Sequence, residues 1–238
     1  MNGGPDKPVG ACRAVSSNAL PERPDILADQ QLPAPPQQER SRRARDGVLA
    51  AALALFAENG YDATTVEEIV RHAGVAVGGF YLHFRSKRQV LLVLMDVLLQ
   101  DLDSRLGALG DSTRLAEELL TSLHFDSPNA GVYRAWREAA LRDSSIAALD
   151  AEIEAWTSAR IAAALRRVAL RPWARANVDL DSFAWMLSVL WWRLIEDLRL
   201  DRDALAKTAA ALVQSIMFED RVPAGDRHAP TPDEKSET

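Results

Sequence analysis

The sequence predicts an all-α protein, with a small N-terminal helical domain followed by a larger one. Apolar residues recur every three or four positions over most of residues 39–220, and no segment alternates in the manner of a half-buried strand. Glycine-containing breaks separate the helical stretches. The chain has 238 residues, 47% of them hydrophobic and 26% charged, which is enough for one large or two small cores.

Both ends of the chain are predicted to be disordered. Residues 1–38 contain seven of the twelve prolines and keep no apolar period, and residues 221–238 combine prolines with acids. The single cysteine, Cys12, permits neither an intrachain disulfide nor a zinc site, so a reducing, cytoplasmic setting is expected. No apolar run reaches the roughly 18 residues that span a membrane, and no membrane partner is expected.

The first predicted helix runs from about Ser41 to Asn59, where Gly60 can adopt the positive φ that ends a helix. Its apolar stripe is formed by Val48, Ala52, Leu55 and Phe56.

Two short helices follow, separated by a tight turn. Thr65 begins the first, with Glu68 at the spacing of a capping box, and Gly74 ends it after barely two turns. The second covers about residues 77–83. Two short helices joined by a glycine-containing turn form a helix-turn-helix, a motif that places its second helix in the major groove of DNA.

The rest of the chain is predicted to be helical. Ser86 and Gln89 repeat the capping-box spacing and begin a fourth helix. Later helices are predicted over residues 113–124, 129–143, 145–169, 181–199 and 202–218. The predicted organisation is a disordered arm (1–38), a three-helix helix-turn-helix domain (39–86), a helical ligand-binding and dimerisation domain (87–220) and a disordered tail (221–238).

Several runs around the turn form one pattern: Phe56–Thr65, Ala73–Val75, Gly78–Phe84 and Ser86-Lys87. In this pattern, over about residues 42–95, the chain resembles the DNA-binding domain of the tetracycline-repressor (TetR) family. The resemblance implies a homodimeric transcriptional regulator, foremost a repressor, that binds a pseudo-palindromic double-stranded DNA operator. A small molecule would release it from that operator. Activation instead of repression stays open.

The start of the third helix is the predicted base-reading segment. Its residues are small enough for the backbone to approach the duplex closely, but they offer few hydrogen-bonding groups. Contacts with thymine methyl groups, and DNA shape, are therefore expected to contribute to specificity. The segment comprises Ala76, Val77, Gly78 and Gly79.

Other predicted DNA contacts are to phosphates. The resemblance implies that Tyr81 and His83 meet phosphates, although Tyr81 as a core aromatic and His83 as an idle surface residue are the alternatives. The charge of Lys87 at a helix start, and a hydroxyl of Thr64 or Thr65, favour phosphate binding. A basic cluster follows the backbone or enters the minor groove, unless it is only a solvated helix start. That cluster includes Arg42, Arg43 and Arg45.

The C-terminal half is rich in aromatic residues, since all six tryptophans lie at position 136 or beyond. An aromatic-lined interior predicts an effector that is a small apolar or aromatic molecule, while filling of the core or dimer interface is the alternative for each residue. The candidate pocket residues are Phe125, Tyr133, Trp136, Trp156 and Trp185.

The last two predicted helices carry wide apolar faces. Paired across a two-fold axis, they would form a four-helix bundle and make the chain a homodimer. The candidate interface residues are Leu187, Leu190, Trp191, Leu194, Leu198, Leu205, Leu212, Val213 and Ile216.

Two other function classes fit the sequence less well. An enzyme is disfavoured, because the sequence contains no P-loop, no Gly-x-Ser-x-Gly, no Cys/His metal spacing and no Gly-x-Gly-x-x-Gly after a strand, and no cofactor or metal is predicted. A ligand-binding or protein-interaction module whose DNA-binding domain has degenerated is supported only by the weakly polar recognition helix with Val77 and Gly79.

Overall fold

The computed structural model describes residues 22–108, 127–170, 174–196 and 201–218, and this part of the chain is helical. A 3₁₀ turn, Ser127–Asn129, precedes α5, and the described residues contain no β-strand beyond an isolated bridge between Ala174 and Phe218. The predicted all-α class is thus confirmed. The helices are α1 (Glu39–Asn59), α2 (Val66–Ala73), α3 (Val77–Tyr81), α4 (Lys87–Ala108), α5 (Ala130–Ala140), α6 (Ser144–Ala169), α7 (Leu180–Glu196) and α8 (Arg202–Met217).

The structure confirms the first of the two predicted capping boxes and changes one hydrogen bond of the second. The capping box of α2 is complete, because Thr65 Oγ1 accepts the amide of Glu68 at 3.2 Å and Glu68 Oε2 accepts the amide of Thr65 at 2.9 Å. Before α4, Ser86 Oγ accepts the amide of Gln89 at 3.3 Å, but Gln89 Oε1 accepts the amide of Arg85 instead. The predicted helix at 113–124 and the tail 221–238 lie outside the described residues.

The turn between α2 and α3 depends on a left-handed residue. Gly74 has φ 66° and ψ 28°, and its amide bonds to the carbonyl of Arg71 at 3.3 Å. The next amide, that of Val75, reaches back to the carbonyl of Val70 at 3.0 Å, so the last turn of α2 ends in a Schellman motif. Val75 then packs against the core and fixes the direction in which α3 leaves.

Two apolar clusters among the described residues organise the helices. The first joins α1 to α5 with the first half of α6 and Trp192 of α7, and its fully buried members include Phe56, Phe80 and Phe84. The second joins α6, α7 and α8 through residues such as Leu165 and Val213. Among the described residues, none of the helices has both the length and the apolarity needed to cross a bilayer.

The loop between α1 and α2 is held from two sides. Lys87, at the start of α4, donates from Nζ to the carbonyls of Tyr61 (2.7 Å), Asp62 (3.2 Å) and Thr64 (2.8 Å). From the opposite side Glu138 of α5 accepts the amides of Tyr61 (2.7 Å) and Asp62 (3.0 Å). The loop therefore ties α4 and α5 to the helix-turn-helix.

Part of the N-terminal arm is ordered against the helices. The prediction of disorder is wrong for residues 22–38, because Ile26 is only 2% exposed in the first cluster and Leu27 and Leu32 pack beside it. An isolated turn needs no helical period to bury one apolar side chain and partly bury two more, so periodicity could not reveal it. Residues 1–21 lie outside the described part of the chain.

The α1–α5 contact yields a stability prediction. A Cβ on Gly131 would lie 2.4 Å from Cβ and 2.5 Å from Cα of Ala57, so Gly131→Ala forces two backbones apart. We expect the free energy of unfolding to fall by about 1–3 kcal/mol. Gly47→Ala in α1 is the control, because its Cβ would have its nearest contact at 3.8 Å and should stabilise the helix by about 0.5–1 kcal/mol. Urea denaturation of both variants measures the contrast, and equal stability would contradict the close packing.

Candidate nucleic-acid interface

The solvent side of α3 is an apolar surface with a single hydroxyl. Phe80 is fully buried and holds the helix on the core, while Tyr81 is 53% exposed and Leu82 is 70% exposed. Val77 is 46% exposed, and Ala76 and Gly78 beside it are exposed as well. The segment predicted to read bases thus faces outward on a rigid support.

The two glycines of α3 are not required by the protein's own packing. A Cβ on Gly78 would meet nothing within 4 Å, and on Gly79 it would make an ordinary 3.9 Å contact with Val75. Neither has positive φ, which occurs among the described glycines only at Gly60 and Gly74. Each interior glycine costs a helix about 0.5–1 kcal/mol relative to alanine. Close approach by an outside partner would account for this cost.

The phosphate candidates at the edge of this surface fall into two groups. Tyr81 touches Phe80 edge-on, with ring centroids 5.3 Å apart, and is too exposed to be a core aromatic. Arg42 and Arg43 are exposed and share the carboxylate of Glu39 at 2.9 Å, a surface pairing that contributes little and leaves both side chains available. Arg45 lies nearer the core, its guanidinium 5.4 Å from the centre of the Phe84 ring.

Thr64 is not available to DNA. Its side chain is fully buried, and Oγ1 donates to the carbonyl of Gly60 at 2.7 Å. The prediction is wrong for this residue, because the hydroxyl satisfies the end of α1. Thr65 stays exposed, with its hydroxyl in the capping box of α2.

His83 is also turned inward. It is 7% exposed, and its Nε2 lies 3.4 Å from Ser41 Oγ. Burial lowers the pKa of His83 below its ordinary value, and the nearby guanidinium of Arg45 lowers it further. The predicted phosphate contact is therefore wrong in this geometry, since a buried neutral imidazole has no charge to offer.

Lys87 has a structural role that its place in the motif did not reveal. An ammonium group has three donors, and all three face the loop carbonyls described above. The Nζ atom also lies 4.5 Å from the centre of the Tyr61 ring, and burial lowers the pKa of Lys87. The ammonium is therefore engaged by the protein's own backbone and has no donor left for a DNA phosphate.

The sequence reasoning missed Leu82. The buried pair Phe80 and Phe84, four residues apart, places the position between them on the opposite side of the backbone. That spacing was a usable signal, but a leucine next to a helix reads as core by composition. Its 70% exposure instead extends the apolar surface of α3.

The candidate pocket residues separate into buried and exposed ones. Tyr133, Trp136 and Trp156 are at most 4% exposed in the first cluster. Trp185 is 63% exposed, so its assignment to an interior pocket is wrong. Trp192 was missed; it is buried with its ring edge-on to Tyr133 at 5.1 Å. Phe125 lies outside the described residues.

The predicted dimer residues also separate. Leu190 and Leu212 are exposed on α7 and α8, as an interface requires. Val213 is 3% exposed inside the second cluster and is therefore wrong as an interface residue, and Leu187 and Ile216 pack partly against that cluster. Trp191, Leu194 and Leu205 are half-buried, and Leu198 lies outside the described residues. The exposed apolar face of the two helices comprises Trp185, Met186, Val189, Leu190 and Leu212.

Comparison with known proteins agrees with this geometry. The sequence pattern of the bacterial regulatory proteins of the tetR family matches residues 48–94, from the middle of α1 into α4. The transcriptional repressor KstR2 of Mycolicibacterium smegmatis is 36% identical over 102 residues, which are 43% of this chain and 49% of that repressor. Over residues 48–94 the chain is a helix-turn-helix domain of the TetR family. It spans half or less of the length of the first curated relatives that it matches.

Solved TetR-type structures share the fold beyond the helix-turn-helix. SmeT, the repressor of the Stenotrophomonas maltophilia multidrug efflux pump SmeDEF, matches with a TM-score of 0.60 at 23% identity, over 82% of this chain and all of that one. The ketosteroid regulator KstR2 of Mycobacterium tuberculosis matches with a TM-score of 0.57 at 22% identity, over 74% of this chain and 95% of that one. At these identities the likeness establishes the fold of the chain and nothing further.

The buried histidine gives a pH prediction. Because the pKa of His83 is lowered in the folded protein, the unfolded chain takes up a proton first as the pH falls below about 6.5. The stability contributed by the neutral imidazole is therefore present above that pH and is lost on acidification. We expect His83→Gln to flatten the loss of unfolding free energy between about pH 7 and about pH 5. The exposed His72, changed to Gln, is the control, and parallel profiles for the H83Q variant and the unmodified protein would refute the assignment.

Proposed function

We propose that the protein is a dimeric, ligand-responsive transcriptional repressor that binds a pseudo-palindromic DNA operator through α3. The observation that carries this proposal is the exposed, glycine-containing face of α3, held on a fully buried Phe80. An α-helix fits the major groove, and a surface of Val77, Tyr81 and Leu82 favours contacts with thymine methyl groups and the sugar-phosphate backbone. Arg42 and Arg43 supply positive charge beside it.

Dimerisation is supported by the exposed face of α7 and α8. Its five apolar side chains are between 38% and 63% exposed in the single chain. Exposed apolar side chains grouped on neighbouring turns of α7, with a further one on α8, indicate an association surface. Two copies paired there form a four-helix bundle and present two α3 helices to half-sites about one DNA turn apart.

An effector site is supported by polar atoms that the described protein leaves unsatisfied. The indole N–H groups of Trp156 and Trp192, and the hydroxyl of Thr157, are buried with no hydrogen-bond partner. A buried donor without an acceptor costs about 1–3 kcal/mol, so a ligand that brings an acceptor would bind favourably. We propose an uncharged apolar effector with a carbonyl or ether oxygen. KstR2 of Mycobacterium tuberculosis is described as a ketosteroid transcriptional regulator. A ketosteroid has this chemistry and is therefore a suitable probe.

The alternative is a ligand-binding or protein-interaction module with a degenerate DNA-binding domain. It is favoured by one observation, the scarcity of hydrogen-bonding side chains on the exposed face of α3. Salt separates the two functions, because operator binding through phosphates weakens steeply as salt rises.

Selection from a random duplex pool at moderate salt, followed by sequencing, tests the proposal directly. Enrichment of a pseudo-palindrome that the Tyr81→Ala protein fails to enrich is the expected result, since Tyr81 is an exposed phosphate candidate. A folded, dimeric protein that enriches no sequence would instead favour the alternative module.

Replacing Gly78 by alanine should raise the stability of the protein and lower its affinity for the operator. Gly78→Ala has open space for its Cβ, so the free energy of unfolding should rise by about 0.5–1 kcal/mol. The same methyl group would hold the helix away from the groove and weaken operator binding by about tenfold. Gly47→Ala is the control that should gain stability and keep its affinity. Unchanged operator affinity in the G78A variant would remove the argument from close approach.

The unsatisfied indole of Trp156 predicts a difference between two tryptophan substitutions. Trp156→Phe and Trp136→Phe both remove a buried ring and leave a cavity, so both should lower the free energy of unfolding. Trp136→Phe also removes an N–H that donates to Asp150 at 2.8 Å, whereas Trp156→Phe removes a donor that has no acceptor, so Trp136→Phe should destabilise by about 1–2 kcal/mol more. Affinity for a steroid ketone over the corresponding hydrocarbon should fall in the W156F variant. Equal destabilisation by both changes would place an internal acceptor on Trp156.

A further inference from the structure

We infer that residues 22–38 form a strap that positions α4, and through it the recognition helix α3, relative to α6. The inference rests on the proposed function for its DNA readout, but its structural part stands on contacts alone. The strap touches the connection between α3 and α4, the first turn of α4 and the middle of α4. It does so with an apolar anchor, a charged anchor and a pair of glutamines.

The apolar anchor is a turn built around Asp25. The Asp25 carboxylate accepts the amide of Leu27 at 3.2 Å, and its carbonyl accepts the amide of Ala28 at 3.3 Å. This turn directs Ile26 into the first cluster, where it is 2% exposed. Burying a whole isoleucine side chain contributes enough to order a short segment that has no helix of its own.

The charged anchor explains an acid on the inner side of α4. Asp96 has a side chain only 10% exposed, and it forms an ion pair with Arg23 while also accepting from Gln100 Nε2 at 2.7 Å. A carboxylate in such a place needs a counter-charge, because an unpaired buried charge is strongly unfavourable. The cation comes from the strap, 73 residues earlier in the chain.

The glutamines reach the other end of α4. Gln31 Oε1 accepts from Arg85 at 2.5 Å, and Gln30 Oε1 accepts from Arg88 at 2.8 Å. Arg88 also donates to Asp143 at 2.8 Å and to Ser145 at 2.7 Å, which are the N-cap and first turn of α6. One guanidinium therefore joins the strap, α4 and α6.

These contacts make the strap a restraint on the motion of α4. Arg88 and Asp96 are eight residues apart, or about 12 Å along the helix, so a shift or tilt of α4 against α6 has to break contacts at one end or the other. The strap favours the arrangement in the structure, which we assign to the operator-binding state. Weakening it lowers operator affinity without removing any DNA contact.

Point variants in the full-length protein test the strap. Arg23→Gln leaves Asp96 unpaired, and Ile26→Ala removes the apolar anchor. Glu22→Gln, at an exposed neighbouring position, is the control. In both strap variants we expect amide hydrogen exchange over residues 90–100 and 146–150 to accelerate by about tenfold, while Glu22→Gln leaves it unchanged. Circular dichroism should report the same helix content in all three.

The double variant Arg23→Gln/Asp96→Asn keeps the test decisive if Arg23→Gln impairs folding. It replaces the ion pair by two neutral amides, so slower exchange than in Arg23→Gln alone is expected if the buried charge is what Arg23 satisfies. Exchange that accelerates only within residues 22–38 and not in α4 would overturn the strap as a positioning element.

Operator binding then shows whether Arg23 positions α4 or contacts a DNA phosphate itself. Arg23→Gln should weaken binding to the selected operator by about tenfold with an unchanged salt slope, because a lost phosphate contact would reduce that slope by about one. A reduced slope, or unchanged affinity, would overturn the positioning role. If the unmodified protein binds no operator, the proposed function fails, and hydrogen exchange alone still decides whether the strap restrains α4.

Discussion

The structure depends on the hydrogen bonds that the backbone groups of the loop between α1 and α2 make with two charged side chains. Its carbonyls at residues 61, 62 and 64 meet one ammonium, that of Lys87, and its amides at 61 and 62 meet one carboxylate, that of Glu138. Hydrogen bonds to charged groups are stronger than neutral ones, and removing either partner would leave half-buried backbone groups unpaired. The helix-turn-helix is thereby joined to α4 and α5, and under the proposed function these are the helices through which a change in the C-terminal half would reach the operator.

This attachment gives the recognition helix a rigid base and an unconstrained face. The buried Phe80 and Phe84 hold α3 on the core. Gly78 and Gly79 leave its outer surface without side chains, although the fold has room for a Cβ at both positions. The protein accepts a less stable helix at the position where a partner's surface would come closest. The strap adds a second restraint on α4, so the orientation of α3 depends on contacts between residues more than 50 positions apart in sequence.

The described residues of the C-terminal half leave apolar side chains exposed and buried polar atoms without hydrogen bonds. The face of α7 and α8 leaves five apolar side chains exposed, and Trp156, Thr157 and Trp192 leave polar atoms unsatisfied inside. Exposed apolar area and unsatisfied buried donors are two different deficits, and the proposed function relieves the first with a second copy of the chain and the second with a ligand that brings an acceptor. The proposed dimer surface and the proposed effector site thus rest on different residues of the C-terminal helices.

Local spacing and backbone freedom were enough to predict the helices, the capping box at Thr65, the left-handed turn at Gly74 and the exposed start of α3. The contacts of the long side chains could be found only in the folded protein. The motif suggested that Lys87, His83 and Thr64 bind phosphate, but the side chains of all three make their contacts inside the protein. Val213 lies in the core and not at an interface, and Trp185 lies on the surface and not in a pocket. Ile26 orders a segment that has no helical periodicity. Such choices depend on partners distant in the chain, and a local pattern carries no record of them.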